Sequence, residues 1–325
     1  MEGGILTLGW RALRLLPPLV AWRILHSAPP WLLDAIAKAS GRPPPAGPRV
    51  ELFGRRLESP VGVAAGFDKD GRLAWIAWAM GAGFHVIGSV LPHPHEGVKP
   101  KILVRLPDGG TINRLGLPSP GPRPVVRRLK EGRPPIPIAV SIAAFTAEGY
   151  GEVYRSIADV ADWVEVNISC PNVVEHRYFE DPSVAAAICD HLKPRIPPLL
   201  LKIPPTRDAK RLEEYLDLAR ACGFAGIVAT NTRRIRYRGF EAGLGGPALF
   251  EDTLWAIKTL REWAPKGFVL IGVGGVTNGA KAAALLKAGA NAVEVLSSII
   301  HRGPLAPWLI ALEALKELKR GEGSA

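Results

Sequence analysis

From residue 50 onward, short runs of Val, Ile, Ala and Leu alternate with longer amphipathic segments. Short unbroken apolar runs bounded by turn formers read as strands buried on both faces, and amphipathic segments between them read as crossover helices. The pattern predicts strands at residues 61–65, 85–89, 138–142, 163–167, 199–203, 226–230, 269–273 and 292–296. Seven are followed by plausible helices, such as 208–222 and 278–288. The longer interval between the second and third holds two short apolar runs, 102–106 and 111–113, which read as an inserted hairpin. An open doubly wound sheet can be drawn from the same alternation. Eight successive units favour closure into an α/β fold of the (β/α)8 TIM-barrel type, and 325 residues suit one such barrel with an appendage.

The appendage is N-terminal. Residues 5–25 are apolar-rich and interrupted by Pro17 and Pro18; residues 30–39 form a second helical pattern with Trp31, Leu32, Leu33 and Ile36 on its apolar side. Residues 41–48 read as a linker, so the expected division is a helical extension over 1–40 and a barrel over 41–325. No secretory signal is evident. The apolar stretch 15–22, flanked by Arg14 and Arg23, falls far short of the ~20 residues a spanning helix needs.

Composition changes this picture in three places. Cys170, Cys189 and Cys222 show no paired or metal-like spacing, which fits a reducing cytosol and argues against a disulfide or a zinc site. The net charge of +11 is spread along the chain, unlike the clustered runs of a nucleic-acid binder. A solvated basic surface or attraction to an anionic membrane accounts for it. The chain contains no Gln and only six Asn, an avoidance of labile amides that suggests a thermophilic source. Yet Asn113, Asn167, Asn172 and Asn231 all fall at predicted strand ends or in loops beyond them.

Catalytic groups of such a barrel sit where strands end and loops begin. The first strand runs into AAGFDKDG (64–71), with Ala65, Gly66 and Lys69; the second ends at Ser89, and the third carries Ser141. INRLGLPS (112–119) supplies Asn113, Arg114, Leu115, Gly116 and Leu117. VEVNISCPN (164–172) supplies Asn167, Cys170 and Asn172, LLLKIPP (199–205) supplies Lys202, and IVATNT (227–232) supplies Thr230, Asn231 and Thr232. GVGGV (272–276) leads into a helix capped by Thr277 or Asn278, and the last strand finishes at Leu296 and Ser297. Glycine N–H groups and a helix N-terminus suit a phosphate, although such a turn also serves as a tight loop. Lys202, on an interior strand, either makes a buried ion pair or faces an electron-rich ligand edge. Lys69 is either solvated or placed for a substrate carboxylate. Cys170 is either a small packed side chain or a base. Four amides and a hydroxyl together suit a small polar heterocycle.

In order and form, AAGFDKDG, INRLG, NISCPN, the strand-five lysine, ATNT and GVGG resemble the dihydroorotate dehydrogenase family over about residues 50–305. The resemblance implies a β/α barrel holding FMN that oxidises dihydroorotate to orotate in pyrimidine (UMP) biosynthesis. It implies Cys170 as the base taking the C5 proton, with nearby lysines favouring its thiolate. Asn113, Asn172, Asn231 and Thr232 would bind the substrate ring, with Arg114, Leu115, Gly116 and Leu117 beside them and Lys69 on the carboxylate. Asn167 would bridge substrate and flavin. Lys202, Ala65, Gly66, Lys69, Ser89, Ser141 and Thr230 would contact the flavin, and Gly246, Gly274, Gly275, Leu296 and Ser297 its ribityl phosphate arm. The N-terminal helices and AAGFDKDG resemble the membrane-associated class 2 enzymes, which reduce quinone. Cys170 and GLP (116–118) resemble the soluble class 1 enzymes. Residues 141–145 (SIAAF) depart from the Asn and G-K-N run of class 2. A quinone acceptor, peripheral contact with the inner face of the cell membrane through residues 1–40, no metal and no nucleic acid are the expectations. The rivals are an FMN-less binding or scaffold barrel, and an FMN dehydrogenase acting on a related pyrimidine or using fumarate or NAD.

Overall fold

The computed structural model describes residues 5–173, 175–193 and 196–322. Pro17 does more than interrupt the first helical segment. With no N–H to donate and φ fixed, it ends one helix and begins the next. Three N-terminal helices therefore stand where two were expected: α1 (Ile5–Arg14), α2 (Pro18–Ser27) and α3 (Pro30–Ser40). On α3, Leu33 and Ala37 are buried but Trp31 is 70% exposed, so the expected apolar side is only partly covered.

Beyond the linker, β1 (Val50–Leu52) and β2 (Arg55–Leu57) form an antiparallel hairpin. The barrel then begins with β3 (Val61–Asp68), α4 (Ala74–Ala79) and β4 (His85–Val90). The insertion β5 (Ile102–Arg105) and β6 (Thr111–Arg114) follows, and then α5 (Pro122–Glu131), β7 (Ile138–Ile142), α6 (Ala147–Ile157) and β8 (Trp163–Asn167). The second half comprises α7 (Pro182–Ala185), β9 (Leu199–Ile203), α8 (Ala209–Ala221) and β10 (Gly226–Ala229), then β11 (Arg233–Tyr237) and β12 (Phe240–Gly245). It ends with α9 (Phe250–Trp263), β13 (Val269–Val273), α10 (Gly279–Lys287), β14 (Ala292–Val295), α11 (Ser297–Arg302) and α12 (Ala306–Glu322). Thr146, Asp208 and Asn278 cap α6, α8 and α10 by accepting backbone N–H bonds with their side-chain oxygens.

All eight predicted barrel strands are present. β3, β4, β7, β8, β9, β10, β13 and β14 close in that order into one parallel barrel, sealed by Val293 of β14 beside Val61 of β3. Alternation along each strand sorts two cores. Val86, Ala139, Leu200, Val228, Ile271 and Ala292 fill the interior, above a floor of Trp163 and Phe84 plugged by Leu52 and Leu57 of the hairpin. The opposite parity, with Val164, Val166, Leu199, Leu201 and Ile227, packs under the helices. The same interior parity carries Glu165, Lys202 and Glu294 one layer higher.

The predicted insertion is a real hairpin, and it belongs to a larger element. β11 and β12 join it in a four-stranded antiparallel sheet of order β11-β12-β6-β5 over the open end of the barrel. α2 packs on β5, and Arg105 donates to the Arg14 carbonyl at 2.8 Å, fixing the N-terminal helices to that sheet. The reading of the cysteines needs correction: Cys189 and Cys222 form a disulfide. Thirty-three residues separate them, but consecutive βα units bring the turn after α7 against the C-terminus of α8.

Candidate active site

The carboxyl ends of the barrel strands, the four-stranded sheet and the N-terminal helices enclose a cavity of about 1630 Å³, including the part open to solvent. Most of the residues predicted for the site meet there. Ala65, Gly66, Lys69, Ser89, Asn113, Leu115, Gly116, Leu117, Asn167, Cys170, Asn172, Lys202, Thr230, Asn231, Thr232, Gly246, Gly274, Gly275, Leu296 and Ser297 all line it. Two do not. Arg114 turns outward, donating to the Pro100 carbonyl at 2.6 Å and covering the Phe240 ring, because its position on β6 has the parity opposite to Asn113. Ser141 lies fully buried behind Ser89, their hydroxyls 2.9 Å apart.

The four site asparagines form two linked sets. Asn172 donates to Asn113 Oδ1 at 2.9 Å, and Asn113 donates to the Gly243 carbonyl at 3.2 Å. Asn231 donates to Asn167 Oδ1 at 3.2 Å and to the Ser169 carbonyl at 2.7 Å, while Asn167 donates to Ser89 Oγ at 3.0 Å. Asn172 Oδ1 is a buried acceptor with no donor in the structure. A polar ligand in the cavity would satisfy it. The two remaining asparagines are structural: Asn278 caps α10, and Asn291 accepts from Leu270 N–H and from Arg261.

Lys69 owes its place to Asp68. The buried Asp68 carboxylate accepts from Gly71 N–H at 2.9 Å, Leu73 N–H at 3.1 Å and His85 Nε2 at 3.0 Å, winding the loop so that Lys69 Nζ donates to the Gly88 carbonyl at 2.9 Å. Burial lowers the Lys69 ammonium to about 8, against the raising effect of Cys170 and Asp68.

Cys170 packs with Leu91, Leu117, Ala143 and Val173 and is 5% exposed. Its N–H donates to His176 Nδ1 at 3.1 Å, so the imidazole hydrogen sits on Nε2. Nε2 faces the Tyr150 hydroxyl at 2.9 Å, and that hydroxyl donates to the Asn167 carbonyl at 2.7 Å. Burial lowers His176 to about 4, which keeps the ring neutral and able to accept. Lys69 does favour the thiolate, as expected, but it does not decide the charge state of the sulfur. Burial outweighs Lys69 and the surrounding N–H groups and pushes the Cys170 thiol up to about 11.

Lys202 makes the ion pair that the sequence left open and lines the cavity as well. Its Nζ is 3.2 Å from Glu165 Oε2 and 3.1 Å from Glu294 Oε2. Burial alone would lower it, but the two carboxyls more than offset that and hold it protonated. Neither glutamate was singled out from sequence. The signal was available, since both stand at the interior parity of their strands, where a lone charge is costly. His176, Tyr150 and Arg105 gave no comparable signal.

The glycines after β12 and β13 are conformationally required. Gly246, Gly274 and Gly275 have φ of 99°, 120° and 79°, and a Cβ at Gly275 would lie 2.5 Å from the Phe250 backbone. Ser297 Oγ, 2.7 Å from Thr111 Oγ1, borders the same recess.

A closed β/α barrel with an amide-lined, lysine-floored cavity at the carboxyl ends of its strands is a small-molecule enzyme barrel. The family model for dihydroorotate dehydrogenase matches residues 49–318, and the chain belongs to that family. It is similar to the dihydroorotate dehydrogenase (quinone) of Thermus thermophilus, 34% identical over 294 residues covering 85% of this chain and 84% of the relative. The dihydroorotate dehydrogenase (quinone) of Christiangramia forsetii is 33% identical over 275 residues, covering 78% and 80%. Among solved structures, DHODH from Eimeria tenella in complex with ferulenol superposes with a TM-score of 0.84, covering 94% of this chain and 92% of that one. At 24% identity that likeness speaks for the fold alone.

Proposed function

We propose that the protein oxidises dihydroorotate to orotate with bound FMN, as a step of pyrimidine synthesis, and passes the electrons to a quinone. One observation carries the reading: a base candidate, Cys170, and a buried cation, Lys202, open into the same cavity as the amides and the glycine recess. The residues fit the cofactor. Gly246, Gly274 and Gly275 leave backbone N–H groups free of side-chain cover beside Ser297, which suits the phosphate arm, and Lys202 suits the electron-rich edge of the ring. When bound, FMN supplies the hydride acceptor and passes the electrons on. Asn113, Asn172, Asn231 and Thr232 hold the pyrimidine ring, and Lys69 holds its carboxylate. Cys170 Sγ takes the proton from C5, and Leu91, Leu117, Ala143 and Val173 keep water from the sulfur. Ser141, although it does not line the cavity, is hydrogen-bonded to Ser89, which does and which accepts from Asn167.

The acceptor reading rests on the N-terminal extension, residues 1–40, treated as distinct in role from the barrel of residues 41–325. Trp10, Ala21, Trp22 and Leu25 of α1 and α2 continue the cavity outward, with Leu103 and Arg105 opposite them. Leu15 is 87% exposed and Ile5, Leu8 and Ile24 are also exposed, beside Arg11 and Arg23. No described helix is long and apolar enough to cross a membrane. Such a surface suits peripheral contact with the cytoplasmic face of the cell membrane, where an apolar quinone would enter. The test is the visible spectrum of the purified protein, then dihydroorotate-driven bleaching and a panel of quinones, fumarate, NAD and oxygen. A colourless protein that FMN cannot reconstitute would refute the reading, and reoxidation by fumarate or NAD alone would refute the acceptor.

A further inference from the structure

Three ionisable side chains share the top layer of the barrel interior: Glu165 from β8, Lys202 from β9 and Glu294 from β14. Each carboxyl gives one oxygen to the single ammonium, and the two carboxyls lie within hydrogen-bonding reach of each other. The remaining oxygens, Glu165 Oε1 and Glu294 Oε1, are buried and have no donor. Both glutamates are 0–1% exposed. Below them lie Val86, Leu200, Val228 and Ile271, and above them Lys202 and Glu294 reach the cavity.

Two carboxylates and one ammonium would leave a net negative charge in an apolar barrel, an arrangement that burial penalises heavily. One proton on the carboxyl pair makes the cluster neutral. We propose that Glu165 and Glu294 share one proton and thereby set the charge that the Lys202 floor presents to a bound ring, with Glu294 a positioning residue acting through Lys202. This rests on the FMN reading above. The surrounding groups support the assignment. Burial, then the charge of Glu165, holds the Glu294 carboxyl well above the usual range, although Lys202 pulls the other way. On the strands flanking the three-residue cluster, β3, β7, β10 and β13, the interior positions at this level are Ala64, Ser141, Thr230 and Val273, none of them ionisable. Lys69, just past the end of β3, and Cys170 line the same cavity as Lys202, and the charge of Lys202 acts on Lys69.

When Glu294 loses its proton, the floor changes from neutral to negative and opposes the electron-rich edge of the flavin. Affinity for FMN should therefore fall on the alkaline side. The sign for folding is the same. A carboxyl whose folded pKa is raised contributes stability that is complete below its unfolded value and lost as pH rises through the folded one.

The experiment measures the FMN dissociation constant, and separately the thermal unfolding of FMN-free protein, from about pH 6 to about pH 10. Wild type is compared with Glu294→Gln and Glu165→Gln. Lys69 titrates in all three, so the difference between proteins carries the result. Wild type should lose about tenfold in affinity on the alkaline limb relative to Glu294→Gln, the change one unit of pKa coupling produces. Its FMN-free unfolding midpoint should also decline over that limb relative to Glu294→Gln. Glu165→Gln should remove the same limb, because the carboxyl left with Lys202 then forms a simple ion pair, and it serves if Glu294→Gln does not fold. Parallel pH profiles in wild type and both variants would overturn the proposal. Failure of FMN to bind any of them, with the Glu294-dependent unfolding limb intact, would refute the FMN reading and leave the shared proton standing.

Discussion

The burial of Cys170 predicts an unusual pH dependence for substrate-driven flavin reduction. A thiol at about 11 is only about 10⁻⁴ ionised at pH 7, against a few per cent for an ordinary cysteine thiol near 8.5. If Sγ takes the C5 proton, single-turnover reduction at saturating dihydroorotate should climb about tenfold per pH unit from about pH 6 upward. Lys69 bends that limb. Its charge favours the thiolate, but burial has brought it down to about 8, so the support fades above that pH and the slope flattens. Lys69→Met should slow reduction at neutral pH by roughly tenfold, for about one unit of lost coupling, and remove the bend. Cys170→Ala should retain orotate binding and lose about 10²–10⁴ in rate. Cys170→Ser should keep residual activity with its limb displaced to higher pH. Stopped-flow bleaching of the flavin absorbance reads all of these. A rate independent of pH, or a plateau reached by about pH 8, would mean that the sulfur is already ionised or is not the base, and the burial argument would fail.

Lys202→Ala leaves two buried carboxyls without their cation, so it should cost about 3–5 kcal/mol in unfolding free energy and release FMN. An unchanged denaturation midpoint with full flavin content would contradict this. The Cys189–Cys222 bridge closes a 33-residue separation, and chain-entropy arguments give it about 4 kcal/mol. Cys222→Ser should therefore melt several degrees below wild type under oxidising conditions and together with it in dithiothreitol. A wild-type midpoint insensitive to reductant would count against the bridge. Deleting residues 1–40 should spare dihydroorotate-driven bleaching but abolish quinone turnover and vesicle binding. Equal loss in both half-reactions would make those helices a stabilising lid instead.

The barrel was legible because its strands are buried on both faces. Val61, Ile138, Leu199 and Val269 each open a short, buried apolar run. β11 was not legible, for the opposite reason. Its sequence, RRIRY, has only two apolar residues and no buried position, so no apolar run marks it and its alternation is too short to stand out. Arg234 is held by Glu180, and Arg233 by Asp252, far away in sequence. The disulfide was hidden likewise: spacing reports neighbours along the chain, whereas Cys189 and Cys222 meet only once successive βα units are stacked.

The site shows the same division between local and tertiary information. Amide avoidance made the four site asparagines conspicuous, and all four line the cavity, because a chain sparing of Asn keeps it where a donor and an acceptor are needed together. Arg114 went astray through strand parity. It adjoins Asn113 in sequence, but successive side chains on β6 point to opposite faces. The charge state of Cys170 could not be read from its neighbours in sequence. Leu91, Leu117 and Ala143, drawn from three different segments, dehydrate the sulfur more than Lys69 can compensate. Glu165 and Glu294 are the instructive omission. The parity that placed Lys202 inside also places them inside, where two carboxyls converge on one ammonium in the top layer of the barrel interior and burial makes any unbalanced charge costly.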